Sequence, residues 1–231
     1  GLNGDGHFGR FNLTASAYLA VGEGDPGTLV DRQVDIAAGF LAAEASMDFS
    51  WIRPRLSFLY ATGDDDPYDD EDNGFDAIFE NPQFAGADTS YWIRQAVPLV
   101  GGGRVALSGR NGVLPSLRSS KEEGQSNFTN PGLWLVGAGV DLDVLPELRA
   151  SVNWNYLRFD RTEVLEAALN QAPIDEEIGH DVSLSFTYRP FMSQNVVLRA
   201  SWARLLPGQG WDDLFPDEEA DYLLFNLVLA Y

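Results

Sequence analysis

The chain has 231 residues, 35 of them acidic and 15 basic, for a net charge of −20, and it contains no cysteine. That balance excludes a nucleic-acid surface, which needs clustered cations, and the lack of thiols excludes a disulfide framework or a thiolate metal centre. Hydrophobic residues make up 45% of the sequence but never run to the roughly 18 in succession that a helical membrane span requires; strands alternating apolar with polar residues would keep the average hydropathy this low.

The sequence opens at Gly1 with neither an initiator Met nor a charged-then-apolar leader, so it reads as a mature chain or one incomplete at its N-terminus. From Arg10 it alternates, with Phe11, Leu13, Ala15, Ala17, Leu19 and Val21 on one face and Arg10, Asn12, Thr14, Ser16 and Tyr18 on the other. That is a first predicted strand, closed by the turn residues Gly22 to Gly27. A second strand, Val34 to Phe49, has ambiguous parity through its alanine-rich middle, where a bulge or helical turn also fits. The third, Arg55 to Ala61, sets Leu56, Phe58 and Tyr60 outward against Arg55, Ser57 and Leu59 inward.

Residues 63–131 show no sustained alternation and read as one long loop, a length usually tied to function. The fourth strand, Gly132 to Val144, places Trp134, Val136, Ala138 and Val140 against Gly137, Gly139, Asp141 and Asp143. After the turn at Leu145 to Glu147, the fifth faces Val152, Trp154 and Tyr156 outward and Arg149, Ser151, Asn153 and Asn155 inward. A short helix is predicted within Thr162 to Gln171. The sixth strand sets Val182, Leu184, Phe186 and Tyr188 against Asp181, Ser183, Ser185 and Thr187, and the seventh sets Val196, Leu198, Ala200 and Trp202 against Val197, Arg199 and Ser201. The eighth, Tyr222 to Tyr231, has the roughly 9 to 11 residues of a tilted membrane-crossing strand and stops on an aromatic. It resembles the C-terminal strand of bacterial outer-membrane barrels, in which that strand is the signal read by the barrel-assembly machinery.

Loop lengths, charge and aromatics sort together. Connections after the odd predicted strands are long and those after the even ones short, so in an up-and-down arrangement all long loops share one end, as extracellular loops do in outer-membrane barrels, with the C-terminus on the periplasmic side. The long-loop segments Asp64–Glu80, Asp160–Asp181 and Asp212–Asp221 carry nine, seven and six acidic residues, so the negative charge belongs to that end. Tyr60, Trp134, Trp154, Tyr156 and Trp202 fall outward near the long loops, and Tyr188 and Tyr231 near the tight turns, as two interfacial girdles would. The expected fold is all-β: residues 1–231 form one transmembrane antiparallel up-and-down β-barrel domain, or part of one, in the bacterial outer membrane.

Arg53 to Pro67, with Tyr60-Ala-Thr-Gly-Asp64 at its centre, and the following Gly74-Phe-Asp-Ala-Ile-Phe79 resemble the alginate-export family of outer-membrane porins, in which a Tyr-Ala-Ser-Gly-Asp strand end precedes an acidic loop and a Phe-Asp-Pro-Leu-Phe element. Ala77-Ile78 replaces the Pro-Leu of that element. The resemblance implies the C-terminal part of a single-chain barrel of about eighteen strands, a lumen that passes an anionic polysaccharide, and no catalysis. His7 and His180, the two histidines, have no sequence context pairing them with a nucleophile.

Three groups of candidate site residues follow. Arg10, Arg55, Arg149 and Arg199 point inward from four strands of one direction and would line a pore favouring anions, or else pair with Asp141, Asp143 and Asp181 to satisfy a polar interior. Asp69, Glu71, Asn73 and Glu80, with Gly74 at the turn, match the oxygen spacing of a calcium loop, but Asp76 stands where an apolar residue is usual, no flanking helix pattern is present, and a solvated acidic loop fits better. Arg158 and Arg204, just beyond Tyr156 and Trp202, are placed with Tyr231 at the lipid interface, where a guanidinium meets lipopolysaccharide phosphate or a loop carboxylate such as Asp160. The function these readings imply is a passive channel for anionic or polar solutes. The alternatives are a structural sleeve around a partner protein, such as an electron-transfer or surface assembly, and a soluble calcium-binding β-domain.

Overall fold

The computed structural model describes residues 1–24, 31–76, 85–86, 96–98, 104–108, 112–116, 128–216 and 220–229. Its main sheet is an antiparallel meander of β1 (Leu2–Phe8), β2 (Phe11–Gly24), β3 (Val34–Met47), β4 (Ile52–Ala61), β9 (Leu133–Leu145), β10 (Leu148–Arg158), β11 (Glu177–Tyr188), β12 (Val196–Pro207) and β13 (Ala220–Leu229). The two-residue β5 (Glu71–Asp72) joins β3 in parallel and makes the sheet ten-stranded; it is not closed, since β1 and β13 are its edges. Within the long loop, β6 (Ala96–Pro98), β7 (Arg104–Ser108) and β8 (Gly112–Ser116) form a separate three-stranded sheet. Two short helices, α1 (Glu163–Leu169) and α2 (Gln209–Leu214), lie in the connections after β10 and β12.

All eight strands expected from alternation are present, and β1 is an addition. Its outward positions Leu2, Gly4, Gly6 and Phe8 hold only two apolar side chains, so the strand leaves little periodic signal. The ambiguous second predicted strand is one uninterrupted 14-residue strand with continuous pairing from Phe11↔Met47 to Gly24↔Val34, which puts Phe40, Ala42, Glu44 and Ser46 on the same face as Asn12, Thr14 and Ser16. Neither a bulge nor a helical turn interrupts it.

Burial is inverted relative to a soluble sheet. On the face we call outer, Val136, Val152, Trp154, Phe186, Leu198, Trp202, Leu223 and Phe225 are exposed, Phe225 at 74%. On the inner face Asn153, Asn155, Asp181, Ser183, Ser185 and Ser201 are buried. A contiguous apolar outer face of this extent exceeds what soluble monomers leave in water, and each such side chain gains about 1.5–3 kcal/mol on leaving it.

Where the long loop leaves and rejoins the sheet, two chain segments touch through glycines. A Cβ on Gly132, whose φ is +63°, would lie 2.3 Å from the backbone nitrogen of Gly63, and one on Gly63 would lie 2.3 Å from the Pro131 carbonyl oxygen. No side chain fits either place without moving backbone. Gly132→Ala is therefore expected to lower stability by roughly 1–3 kcal/mol, the cost of a strained left-handed residue, whereas Gly4→Ala, with nothing within 4 Å, should be nearly neutral; urea unfolding of detergent-folded protein measures both.

Candidate functional site

Cross-strand register arranges the inner face in rows. Nearest the tight turns lie Asp143, Arg149, Thr187, Arg199 and Asn226; next come Arg53, Asp141, Ser151, Ser185 and Ser201; then Arg55, Gly139, Asn153 and Ser183; then Ser57, Gly137, Asn155 and Asp181. Toward the long loops the face turns apolar with Leu59, Leu135 and Leu157, then Ala61 and Leu133. The wall thus grades from charged, through small polar groups, to a hydrophobic cap completed by Leu165 of α1, Ile174, Trp211 of α2 and Phe215. Alternation alone does not reveal this cap, because inward leucines near the loops look like ordinary strand residues until the helices cover them.

Gly137 and Gly139 make the polar middle possible. A Cβ on Gly137 would lie 2.2 Å from Asn155 Oδ1 and one on Gly139 would lie 2.6 Å from Asn153 Oδ1, so the two asparagines occupy space that any other residue on β9 would fill.

Two of the inward arginines, Arg55 and Arg149, are ion-paired. Arg55 Nη2 donates to Asp141 Oδ1 at 3.1 Å and to Asn153 Oδ1 at 2.7 Å, with Nη1 3.9 Å from Glu44 Oε1. Arg149 grips Asp143 through Nε at 2.7 Å and Nη2 at 3.1 Å, the two-pronged geometry a guanidinium suits. Arg199 sits on the inner face opposite Thr187 and Asn226. Arg10 departs from its expected place: with Gly9 it forms the exposed turn between β1 and β2, and its carbonyl accepts from the Asp48 amide at 2.8 Å. The tight β1–β2 hairpin ends the alternation one residue before the pattern suggests. Glu44, unassigned by sequence because of the strand's ambiguous parity, accepts from Ser57 Oγ at 2.8 Å, and Arg53 pairs with Asp48.

The long loop reaches this wall. Glu44 Oε2 accepts from the Ala85 amide at 3.0 Å, and Asn155 Nδ2 donates to the Ala85 carbonyl at 3.1 Å. Ala85 and Gly86 both have positive φ, 52° and 68°, a tight reversal, and Gly86 lies flush against Asn153.

The three described calcium candidates, Asp69, Glu71 and Asn73, do not converge on a metal site. Asp69 Oδ1 accepts from the Glu71 amide at 2.8 Å, Glu71 is exposed on β5, and Asn73 donates its amide to Asp64 Oδ1 at 3.2 Å while its carbonyl accepts from Thr62 Oγ1. Glu80 lies outside the described residues. Among the described residues no three acidic or histidine side chains group to hold a metal ion. Several of the loop's carboxylates serve its backbone, with Asp64, Asp66 and Asp69 accepting from the amides of Asn73, Tyr68 and Glu71, while Asp70 pairs with Arg32 and Asp72 accepts from Thr129 Oγ1.

The outer arginines lie where parity placed them, but the carboxylates that hold them differ from the one expected. Arg158 pairs with Glu176, and Arg204 with Asp221 at 2.7 Å. Asp160 is occupied otherwise, accepting from Trp134 Nε1 at 2.7 Å and from the Gly63 amide at 2.8 Å. Around it the outer aromatics meet at tilted angles: Tyr60 and Trp134 centroids are 4.2 Å apart at 35°, and Tyr156 and His180 5.1 Å apart at 43°. Trp202 is exposed on the same face, while Tyr231 lies outside the described residues.

No family model and no curated protein matches the chain. A solved structure, the outer-membrane expressed OmpT of Vibrio cholerae, is similar at a TM-score of 0.40 and 11% identity, over 95% of this chain and 50% of that one, so the chain spans half that protein's length.

Asp64, at the base of the long loop, is fully buried. Burial pushes its carboxyl up to about 7, reinforced by the charges of Asp72, Asp69 and Asp65 and opposed by the Asn73 amide. Its folded value lies above its unfolded one, so the stability it contributes is complete below about pH 4 and disappears as pH rises through about 7. Urea midpoints in detergent should therefore be higher at pH 5.5 than at pH 8 through this group, and Asp64→Asn should reduce the difference; an unchanged pH dependence in the variant would refute the assignment.

Proposed function

We propose that the chain forms wall of a bacterial outer-membrane β-barrel and serves a passive, non-catalytic channel for polar solutes. The observation that carries this reading is the inverted burial: an apolar outer face that stays exposed and a polar inner face that is covered. A bilayer accepts such a face, and the ladders between neighbouring strands satisfy the backbone groups that hydrocarbon cannot, apart from those along the edges β1 and β13, which a closed barrel would pair. In this reading the acidic long loops face outside the cell, the tight turns and the C-terminus face the periplasm, and the aromatic belt around Trp134 and Trp202 marks the outer interface. Lipopolysaccharide is the expected neighbour of Arg158 and Arg204 even while they hold Glu176 and Asp221, since a guanidinium with five donors can serve a carboxylate and a phosphate together. Assembly would proceed through β13 and the barrel-assembly machinery.

The resemblance of residues 53–79 to alginate-export porins supports an anionic polysaccharide as the solute. The pairing of Arg55 and Arg149 supports polar solutes with little charge preference, because a neutralised guanidinium lowers the barrier for an anion less than a free one. A structural sleeve around a partner protein is the second reading, favoured by the hydrophobic cap that fills the inner face near the long loops.

Planar-bilayer recording decides between them. Purified protein should give stable channels passing potassium and chloride at comparable rates, and Asp143→Asn, which frees Arg149, should shift the reversal potential toward anions. A silent bilayer despite verified insertion would favour the sleeve.

A further inference from the structure

The inner face is covered unevenly. From β4 to β12 its polar residues are buried, Ser57, Asn155 and Ser183 among them, whereas on β1 and β2 Asn3, Asp5, His7 and Thr14 stand exposed. Register pairs these open residues as Asn3↔Ser16, Asp5↔Thr14 and His7↔Asn12, rungs two residues or roughly 6.6 Å apart along the strands. Each rung is only half satisfied from within the chain. Thr14 Oγ1 donates to Asp5 Oδ1 at 2.8 Å, and Asn3 Oδ1 accepts from the Tyr18 hydroxyl at 2.5 Å. The Asn3 amide nitrogen and the second Asp5 oxygen take no partner among the described residues, so the strip offers both donors and acceptors to whatever lies on it.

The rungs end on an aromatic ring toward the long loops. Tyr18 of β2 stands opposite Phe40 of β3, centroids 6.0 Å apart, and Phe75 of the long loop lies 6.4 Å from Tyr18 and 5.1 Å from Phe40. Phe40 and Phe75 pack against the apolar cap, while Tyr18 is the outer member of the three and is 38% exposed. Its ring is held in place by the two phenylalanines, by the bond to Asn3 and by the backbone of Gly1, where a Cβ would come within 2.3 Å of Tyr18 Cδ1.

We propose that this strip of the inner face binds an uncharged oligosaccharide, with Tyr18 stacking on a sugar ring and Asn3, Asp5 and Thr14 bonding the sugar hydroxyls. A pyranose presents C–H groups on its faces and hydroxyls around its rim, each of which donates and accepts. A fixed aromatic ring beside a row of mixed donors and acceptors meets both surfaces at once. Charge selects among sugars. Asp48 is neutralised by Arg53 and Glu44 faces Arg55, but Asp5 has no ion pair among the described residues, so a uronate on the strip would meet an uncompensated carboxylate at short range. The strip therefore favours neutral sugars, in contrast to the anionic polysaccharide that the resemblance of residues 53–79 supports. The proposal rests on the channel reading for placing the strip in a lumen, where solutes would travel along β1 and β2 because the rest of the inner face is covered; sugar binding itself can be read without conduction.

Saturation-transfer NMR on the full chain, folded in an amine-oxide detergent that brings no sugar of its own, tests the strip. Maltohexaose, the uncharged probe, should receive saturation from the protein, and hexaguluronate, its charged counterpart, much less. Tyr18→Ala should weaken maltohexaose binding roughly three- to tenfold, the worth of one aromatic contact, while Tyr18→Phe, which keeps the ring, should bind nearly as the parent does. Asp5→Asn lies on an exposed position of an edge strand, so it keeps the test open even if Tyr18→Ala fails to fold; it should leave maltohexaose binding in place and raise hexaguluronate binding toward it. Absence of transfer to maltohexaose in folded protein, equal binding by Tyr18→Ala, or hexaguluronate binding indifferent to Asp5→Asn would each overturn the proposal. The expected binding pattern in a protein that stays silent in planar bilayers would sustain the sugar strip and refute the channel reading.

Discussion

Cross-strand register, regular along the main sheet from Leu2 to Leu229 except for shifts at Leu148/Arg149 and Leu157/Arg158 of β10, determines the rows described above. Successive side chains on a strand point to opposite faces, so slipping any pair of strands by one residue would exchange the rows of serine and asparagine for leucine and tryptophan. Two features resist such a slip. Gly137 and Gly139 are the only β9 positions that leave room for Asn155 and Asn153, and the tight turn at Pro146 and Glu147 fixes where β9 and β10 start to pair. Polar groups face the inner side of the sheet and apolar groups the outer one, so register and the separation of the two faces reinforce one another.

The wall was legible in the sequence because its signal is local. Alternation with a period of two marks a strand without reference to its neighbours, and it located eight strands and, for all but the second, the two faces of each. Where alternation carries no contrast the reading stopped: Gly4 and Gly6 blank out β1, and the alanines of β3 hide the parity of Glu44. Helix α1 fell inside its expected span because Glu163 to Leu169 is rich in helix formers, whereas α2, with Gln209, Gly210 and two aspartates among its six residues, offers almost no intrinsic propensity and forms where Trp211 can bury against β11 and β12.

The candidate site was legible only in its residue types. Arginines on strands of one direction announce a charged interior, but the choice between a free ring and paired charges depends on which carboxylate lies across the ladder, and Arg55 meets Asp141 from 86 residues away. The acidic loop shows the same limit. Its spacing satisfies a calcium pattern, yet the pattern requires the loop to wrap around a point, and here Asp69 and Asp64 instead accept from the backbone amides of Glu71 and Asn73. Oxygen spacing along the chain is necessary for a chelating loop and says nothing of its curvature.

Among the described residues, one buried block narrows the inner face. The cap near the long loops is apolar: Leu133, Leu135, Leu157 and Leu165 are at most 1% exposed, and separating them from Trp211 and Phe215 would return large hydrophobic surface to water. At about 25 cal/mol per Å² of apolar surface, undoing such a contact competes with the stability of the whole domain, so the cap is part of the fold. The turn at Ala85–Gly86 belongs to this cap: Ala85 lies in the same buried cluster, and its amide and carbonyl are taken by Glu44 and Asn155. Glu44, placed between the loop and Arg55, therefore ties the apolar cap to the charged rows of the wall.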